Sequence, residues 1–473
     1  MVAWPVLTIL ICIPLIGVLL IIANHQADTQ ATTNSTNIAL FTATAAAALA
    51  LLLFLVFDPL RPGPHYTESV RLVEGVIDYS LGMDGLARPF VLFVAMVMPC
   101  LMIVVLAGKR RRSQLAYLLL TEAALFGVFL ALDPLLRLFF LGCALVSVTL
   151  MLNAGSGSRE AARPPLFEAY HTVCWVLLLG SVLAGQTAAL DPNFGTDAAE
   201  VLDQPQTAAI PIVSFVGFVG LIASGPLYAW VVAEDDGFNA PLSAIASAVF
   251  PITGVYGLFN VGVHHDVVGS FPVGPLSGAL AGLCILLAAY HLAAGTSGRT
   301  AIIVLSLVQL AMVLVGLNMP LEAAAVMTSM CLGSALVLCA LWVARDILAE
   351  TSTGSLREDR PMEIAQALVT LGVILGVILL VGAVPGSIAF ISLVDLIRLT
   401  ANAAPTLSFA FVSGGILLLA AALRQGLFWR SDIEKLAVRA ASTPSLAHTA
   451  ALCLLMVLSL AIALFAAAMP KVL

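Results

Sequence analysis

Lysine is nearly absent from this chain: three occur in 473 residues, and none lies between Lys109 and Lys435. Charge of either sign is scarce, at 10% of residues, where an average soluble protein carries about 25%. No long basic run offers a surface for nucleic acid, so no such partner is expected. Paired cysteines are also lacking. Eight cysteines (Cys12, Cys100, Cys143, Cys174, Cys284, Cys331, Cys339 and Cys453) stand singly, mostly inside apolar stretches. Without a CxxC pair or a Cys/His cluster at ligand spacing, an iron–sulfur or zinc site is not expected. Nucleotide, flavin and quinone-head signatures are missing too. The chain is therefore expected to carry no cofactor and no catalytic site of its own.

What is present is apolar. Hydrophobic residues make up 61% of the sequence, against about 45–50% in soluble domains. A water-soluble fold could not hide that much apolar surface, so lipid must be much of the solvent. Segments of about 20 apolar residues, the length that crosses a bilayer, recur fourteen times. They cover approximately 4–23, 37–57, 89–107, 115–132, 135–153, 167–187, 208–233, 241–263, 273–294, 299–318, 321–345, 362–384, 404–424 and 447–468. The piece 388–401 continues the twelfth after a break. No basic residue precedes the first segment and no cleavage signal follows it, so it reads as a retained helix rather than a signal peptide. The expected fold is an all-α polytopic membrane protein in one membrane domain.

Basic residues orient the spans. Loops on one side hold 14 of them, including Lys109, Arg110, Arg111 and Arg112; the other side holds six, Arg61, Arg71, Arg88, Arg137, Arg398 and Lys471. The first side is expected to be cytoplasmic and both termini to face outward, across the inner membrane of a bacterium. The run at 109–112 reads as an inside anchor, with a lipid-headgroup site as the other reading. The segment 58–88 reads as a polar, irregular outside loop. A second outside loop, 188–207, carries Asp191, Asp197, Glu200 and Asp203. Glu234, Asp235 and Asp236 read as a solvated turn after the seventh span, or as an acidic patch for cations or a basic partner.

Two spans are interrupted, the seventh at Gly225 and Pro226 and the twelfth at Pro385 and Gly386. Proline removes a backbone donor and opens the helix, and open backbone is tolerated only against protein or a watery cavity. Matching breaks in two halves point to an inverted-repeat transporter, with five-helix repeats at spans 4–8 (115–263) and 9–13 (273–424). The N-terminal helices (4–107) and a final helix (447–468) flank them. Two ordinary proline kinks are the alternative.

The residues around these breaks resemble a known family. Leu81-Gly82-Met83-Asp84-Gly85-Leu86 before the third span, and Phe126-Gly127-Val128-Phe129 through Asp133-Pro134 at the junction of the fourth and fifth, resemble the antiporter-like subunits of respiratory complex I. Gly225-Pro226-Leu227-Tyr228-Ala229-Trp230, Ala240-Pro241-Leu242-Ser243, Gly254-Val255-Tyr256-Gly257 and Val384-Pro385-Gly386 are similar to that family's broken helices and the helix between them. The subunit M type is the nearest pattern. Related subunits occur in multi-subunit cation/proton antiporters and membrane-bound hydrogenases. The resemblance implies a membrane-arm role beside other membrane subunits, in proton translocation coupled to electron transport. It also implies a mid-membrane relay of buried charges: a glutamate on the fifth helix, lysines on the seventh and eighth, and a charged residue after the second break.

The sequence departs from that relay at every position. The glutamate falls on Gly142, the lysines near Leu221 and on Ile252, and the last charge near Leu393; the histidine before the break's tryptophan is Tyr228. Buried charges cost about 2.5–3.5 kcal/mol each on insertion scales, so a subunit that no longer conducts would shed them. The proton path is expected to be degenerate. The remaining ion-path candidates are Glu122 in span 4, His171 at the start of span 6, and Asp395 after the second break. Glu122 reads as a proton carrier or as a structural acid held neutral by a neighbouring hydroxyl or backbone group. His171 reads with Glu168 as an interfacial pair or a relay, and Asp395 with Arg398 as an ion pair or a substitute for the lost charge. Polar residues further along are His291, Gln309 and Asn318.

Overall fold

The computed structural model describes residues 5–23, 29–58, 61, 63–73, 77–105, 111–155, 166–190, 209–222, 240–265, 283–284, 328, 331–343, 394 and 398. The elements in chain order are α1 (Val6–Ala23), α2 (Thr29–Val56), β1 (His65–Val73), β2 (Ile77–Met83), α3 (Ala87–Val105), α4 (Arg111–Leu130), α5 (Pro134–Gly155), α6 (Leu166–Leu190) and α7 (Ala209–Ile222). A further helix, α8, runs through Ala240–Ala244, a π-helical turn Ile245–Val249, and Phe250–His265. A ninth, α9, covers Cys331–Val343. Seven helices among the described residues are long and apolar enough to cross a membrane. They coincide with the expected spans 1–6 and 8. The described part of the seventh, α7, has 14 residues and is shorter than a full crossing.

The helices are apolar on nearly all sides, so boundaries are set by local chemistry rather than by an amphipathic stripe. Asp84 Oδ1 accepts the Ala87 amide at 2.6 Å and Asp133 Oδ1 accepts the Leu136 amide at 2.8 Å. Each aspartate thus caps a helix start, with Pro134 at the first helical position of α5. Arg112 Nη2 donates to the Ile21 carbonyl at 2.7 Å, which satisfies an orphan acceptor at the C-terminus of α1.

Within the segment 58–88, the described stretches His65–Val73 and Ile77–Met83 are not irregular. They fold into an antiparallel hairpin in which Val70 faces Tyr79, Ser69 faces Ser80 and Glu68 faces Leu81. Among the described residues the fold is therefore helical with one two-stranded sheet, a correction to the all-α expectation. The signal is there in retrospect: Thr67, Val70, Val73, Ile77 and Tyr79 are strand-forming residues, and Arg71 opposite Asp78 adds a cross-strand charge pair. Tyr66 takes φ +54° where the register shifts between His65 and Glu68. The hairpin is fastened at both sides. Glu68 accepts the Leu7 amide at 2.7 Å and the Thr8 amide at 3.1 Å, capping α1 from 60 residues away. Tyr79 Oη meets Thr8 Oγ1 at 2.8 Å. Burial pushes the Tyr79 phenol above its usual range; the Thr8 hydrogen bond works against that and the Glu68 charge adds to it. At the other side Leu132 N donates to the Ser80 carbonyl at 2.9 Å.

Small residues let the helices approach. Ala39, Ala43, Ala46 and Ala50 form a buried stripe along α2 at helical spacing. Gly17 of α1 lies against Thr42 and Leu119, Gly127 of α4 against the Phe140 ring, and Gly254 and Gly257 of α8 against Phe218 of α7. Small-residue contacts of this kind are how helices pack in lipid. The stretch Pro241–Asn260 of α8 is wholly buried, whereas α1, α2 and α6 leave most of their apolar surface outward. The core therefore centres on α3, α4 and α8.

Candidate ion path

The positions where the resemblance implies charge are packed shut. Gly142 of α5 faces Trp175 of α6: a Cβ there would stand 3.2 Å from the indole nitrogen. That nitrogen is already used, donating to the Leu138 carbonyl at 2.8 Å. Leu221 and Ile252 are each 1% exposed. Leu221 also lies against Gly254, 3.0 Å from where a Cβ would be. Tyr170 closes the neighbouring joint by donating to the Gly220 carbonyl at 2.9 Å. Leu393 and Tyr228 lie outside the described residues.

Glu122 is different. It sits near the middle of α4, is 0% exposed, and neither carboxyl oxygen has a hydrogen-bond partner among the described residues. The hydroxyl beside it does not help. Thr121 Oγ1 bonds the Tyr117 carbonyl at 2.8 Å and Ser147 Oγ of α5 at 2.7 Å. The expectation of a structural acid held by a neighbouring hydroxyl thus finds no such bond to Thr121. Buried polar groups are nearly always paired, and the exceptions concentrate at functional sites.

Seven residues along α4 from Glu122, about two turns and ~10 Å of rise, stands Phe129. Its ring is 5.3 Å from Phe90 of α3 and 5.1 Å from Tyr256 of α8, and those two rings are 5.2 Å apart. Tyr256 Oη donates to the Phe129 carbonyl at 2.9 Å. One turn further along α8, Asn260 Oδ1 accepts from Arg137 Nη1. Arg137 Nη2 donates to the Ala131 carbonyl at 2.8 Å, and the guanidinium lies 5.4 Å from the Tyr256 ring centre. Because Tyr256 meets Phe129 while Asn260 meets Arg137, which itself holds the Ala131 carbonyl just past α4, α4 and α8 run in the same direction. Counting seven residues back from Tyr256 puts Val249, the last residue of the π turn, at the depth of Glu122.

His171 of α6 is 1% exposed, and its Nδ1 pairs with the Phe167 carbonyl at 2.9 Å. The imidazole stacks 4.1 Å from the Phe167 ring and meets Phe250 of α8 edge-on at 5.1 Å. Phe250 follows Val249, so His171 stands at nearly the depth of Glu122. Glu168, one turn before His171, is only partly buried. The π turn just before Phe250 carries Ser247, whose hydroxyl donates to the Ser243 carbonyl and accepts from Trp342 of α9 at 2.7 Å. π turns of this kind are frequent at functional sites.

The structure thus brings Glu122 and His171 to one level of the core. Asp395, the breaks at Gly225–Pro226 and Pro385–Gly386, the acidic residues 234–236, and His291, Gln309 and Asn318 lie outside the described residues. Sequence reasoning missed Trp175, Tyr256, Arg137 and Asn260 as site-builders. Arg137 carried a signal, being one of few basic residues beside a span. The others had none, because their partners are 37 to 127 residues away.

No protein-family model matches the chain. Among curated proteins it is 28% identical over 225 residues to the F(420)H(2) dehydrogenase subunit M of Methanosarcina mazei, covering 45% of each chain. It is 26% identical over 241 residues to the NADH-quinone oxidoreductase subunit M of Rhodobacter capsulatus (47% of this chain, 46% of that one), and 28% over 250 residues to subunit 13 of the Thermus thermophilus enzyme (51% and 50%). The matches span about half the length of these relatives. Among solved structures, respiratory complex I from Thermus thermophilus with bound NADH superposes with a TM-score of 0.74 at 21% identity, over 96% of this chain and 95% of that one. The Mrp complex from Dietzia sp. gives 0.70 at 18% identity, over 99% and 52%. An archaeal membrane-bound sulfane sulfur reductase gives 0.72 at 17%, over 96% and 75%. Over about half its length the chain is thus similar in sequence to subunit M of complex I-type enzymes, and over nearly its whole length it shares the fold of these solved membrane complexes.

Proposed function

We propose that the chain is a membrane-arm subunit of a complex I-type oxidoreductase or related assembly, and that it has lost the family's charge relay but keeps one proton-exchanging group, Glu122. The observation that carries this reading is the contrast inside one core. Where the resemblance implies charge, Gly142, Leu221 and Ile252 are packed against neighbours, while an isolated carboxyl is retained near the middle of α4. Retaining such a group costs stability, about 1–3 kcal/mol for an unpaired buried polar side chain, so a use for it is the economical explanation. The chain is proposed to cross the inner membrane of a bacterium fourteen times, with both termini outward. Inverted repeats at 115–263 and 273–424 each hold a broken helix. It needs no cofactor of its own, and it works beside other membrane subunits that receive energy from electron transfer elsewhere.

The test is proton transport by the native assembly in proteoliposomes. Glu122→Gln, which keeps shape and removes the exchangeable acid, is expected to lower the proton yield without loss of assembly. Unchanged transport would make the chain a scaffold only. A second reading, a subunit of a multi-subunit cation/proton antiporter or ion-coupled uptake system, is favoured by the match to the Mrp complex over nearly the whole chain. Purification separates the two: redox subunits co-purify on the first reading and not on the second.

A further inference from the structure

Helix α8 changes its winding once. Between its two α-helical stretches, Ile245–Val249 form a π turn, closed by the Phe250 amide on the Ile245 carbonyl. Such a turn bonds amides five residues back and so takes up one residue more than an α turn. Two hydroxyls bracket it. Ser247 donates to the Ser243 carbonyl at 2.6 Å and Thr253 to the Phe250 carbonyl at 2.6 Å. Bonds of this kind, from a hydroxyl back to the main chain, bend helices.

The turn is also where α9 takes hold. Trp342 Nε1 donates to the Ser247 hydroxyl at 2.7 Å, across 95 residues of sequence, and both side chains are buried. Beyond the turn α8 is held by other neighbours. Tyr256 is bonded to the Phe129 carbonyl of α4, and Asn260 to Arg137 of α5. One helix is thus fastened at its π turn to the later part of the chain and past it to the earlier part.

Phe250 lies between the two holds, three residues after Ser247. Its ring meets the His171 imidazole of α6 edge-on at 5.1 Å and the Phe167 ring at 6.2 Å. Phe167, stacked at 4.1 Å, and Tyr170, at 5.3 Å, confine the same imidazole. Interiors packed this closely pass displacement on rather than absorb it. The contacts therefore form an unbroken series from α9 to α6: Trp342, Ser247, the π turn, Phe250 and His171.

We propose that Trp342 is a positioning residue for His171: it pins the π turn through Ser247, the turn sets Phe250, and Phe250 sets the imidazole, so that a displacement of α9 is felt at α6. The π turn is the element suited to carry it. Each residue that its extra position passes over is turned by roughly 100° and moved by roughly 1.5 Å relative to the α-helix, and Phe250 is next in line. This link goes beyond the role of Glu122 and does not depend on it.

The experiment reads the imidazole directly. The full chain carries carbon-13 histidine in lipid nanodiscs and is followed by solid-state NMR; the His171 resonance, one of seven histidines, is the one lost in His171→Gln. Trp342→Phe, which keeps a ring but removes the donor, is expected to shift the His171 resonance by several linewidths. Ser247→Ala is expected to shift it likewise, and Ser247→Thr, which keeps the hydroxyl, to leave it near its wild-type place. The double variant Trp342→Phe with Ser247→Ala is expected to shift it no further than either single one, since both break one link. Thermal melting checks folding. If Trp342→Phe does not fold, Ser247→Ala, which removes a single oxygen, decides alone. A lower melting temperature with the resonance in place reduces the bond to a packing contact and overturns the proposal. So does a Ser247→Thr shift as large as that of Ser247→Ala, and so do single shifts that add up in the double variant.

Discussion

Gly142 of α5 lies against the indole edge of Trp175 on α6, so close that any side chain at 142 would meet the ring nitrogen. The nitrogen in turn holds the Leu138 carbonyl one turn away on α5. The two residues have closed, as a pair, the place where relatives of this fold are expected to carry a glutamate. Gly142→Glu alone is expected to destabilise by roughly 1–3 kcal/mol, the usual range for overpacking a core, and to show it as a lower melting temperature in detergent. Combining it with Trp175→Ala, which clears the space, is expected to recover much of that loss. Equal melting temperatures for the single and double variants would show that the ring does not fill the site.

Glu122 makes the opposite prediction. An unpartnered carboxyl in an apolar core lowers stability, and replacing such a group by an apolar side chain of similar size is neutral or favourable. Glu122→Leu is expected to raise the melting temperature while abolishing the proton contribution of the chain. A stability loss would mean that the carboxyl has partners that contribute to the fold.

The hairpin gives a third test. Glu68→Ala removes the acceptor of the Leu7 and Thr8 amides, and loss of a helix cap costs about 0.5–2 kcal/mol. Limited proteolysis in the hairpin is expected to accelerate, with little change in proton transport. Glu68→Gln is expected to retain part of the cap, because its amide oxygen can still accept.

Tyr79 gives a pH dependence. Its phenol is held above the usual value, chiefly by burial. A raised native pKa means stability that is complete below the unfolded value near 10 and is lost as pH rises through the native one. Hairpin protection, read by hydrogen exchange, is expected to stay flat through neutral pH and to fall only above about 10. Tyr79→Phe is expected to remove that alkaline fall. A fall near neutral pH, or one that persists in the variant, would assign it to another group.

The sequence made the spans legible because lipid demands runs of about 20 apolar residues, and nothing else produces them so often. Span 3 was expected to begin at 89, and α3 begins at Ala87. The hairpin was not legible as structure. Its strand-forming residues are interleaved with Glu68, Arg71 and Asp78, and its inward positions are set by α1 and α4 rather than by alternation. Asp84 and Asp133 were legible as family tokens, but their work as helix caps became clear only from the amides they meet. Glu122 could be picked out because one acid inside an apolar span is conspicuous. Its isolation could not, because Thr121 stands next to it in sequence and its hydroxyl is engaged by Ser147, 26 residues on. Trp175 gave no sign at all, since a tryptophan near Gly142 exists only once α5 and α6 are packed.

The two-sided fastening of the hairpin has a mechanical consequence. Glu68 grips the start of α1, while Ser80 and Leu81 hold the end of α4 just before α5 begins. Tilting α1 alone would tear two amides from one carboxylate, and tilting α4 alone would strip Leu132 from the strand. The three helices therefore share a pivot at that end, and displacement within this half grows with distance from the hairpin.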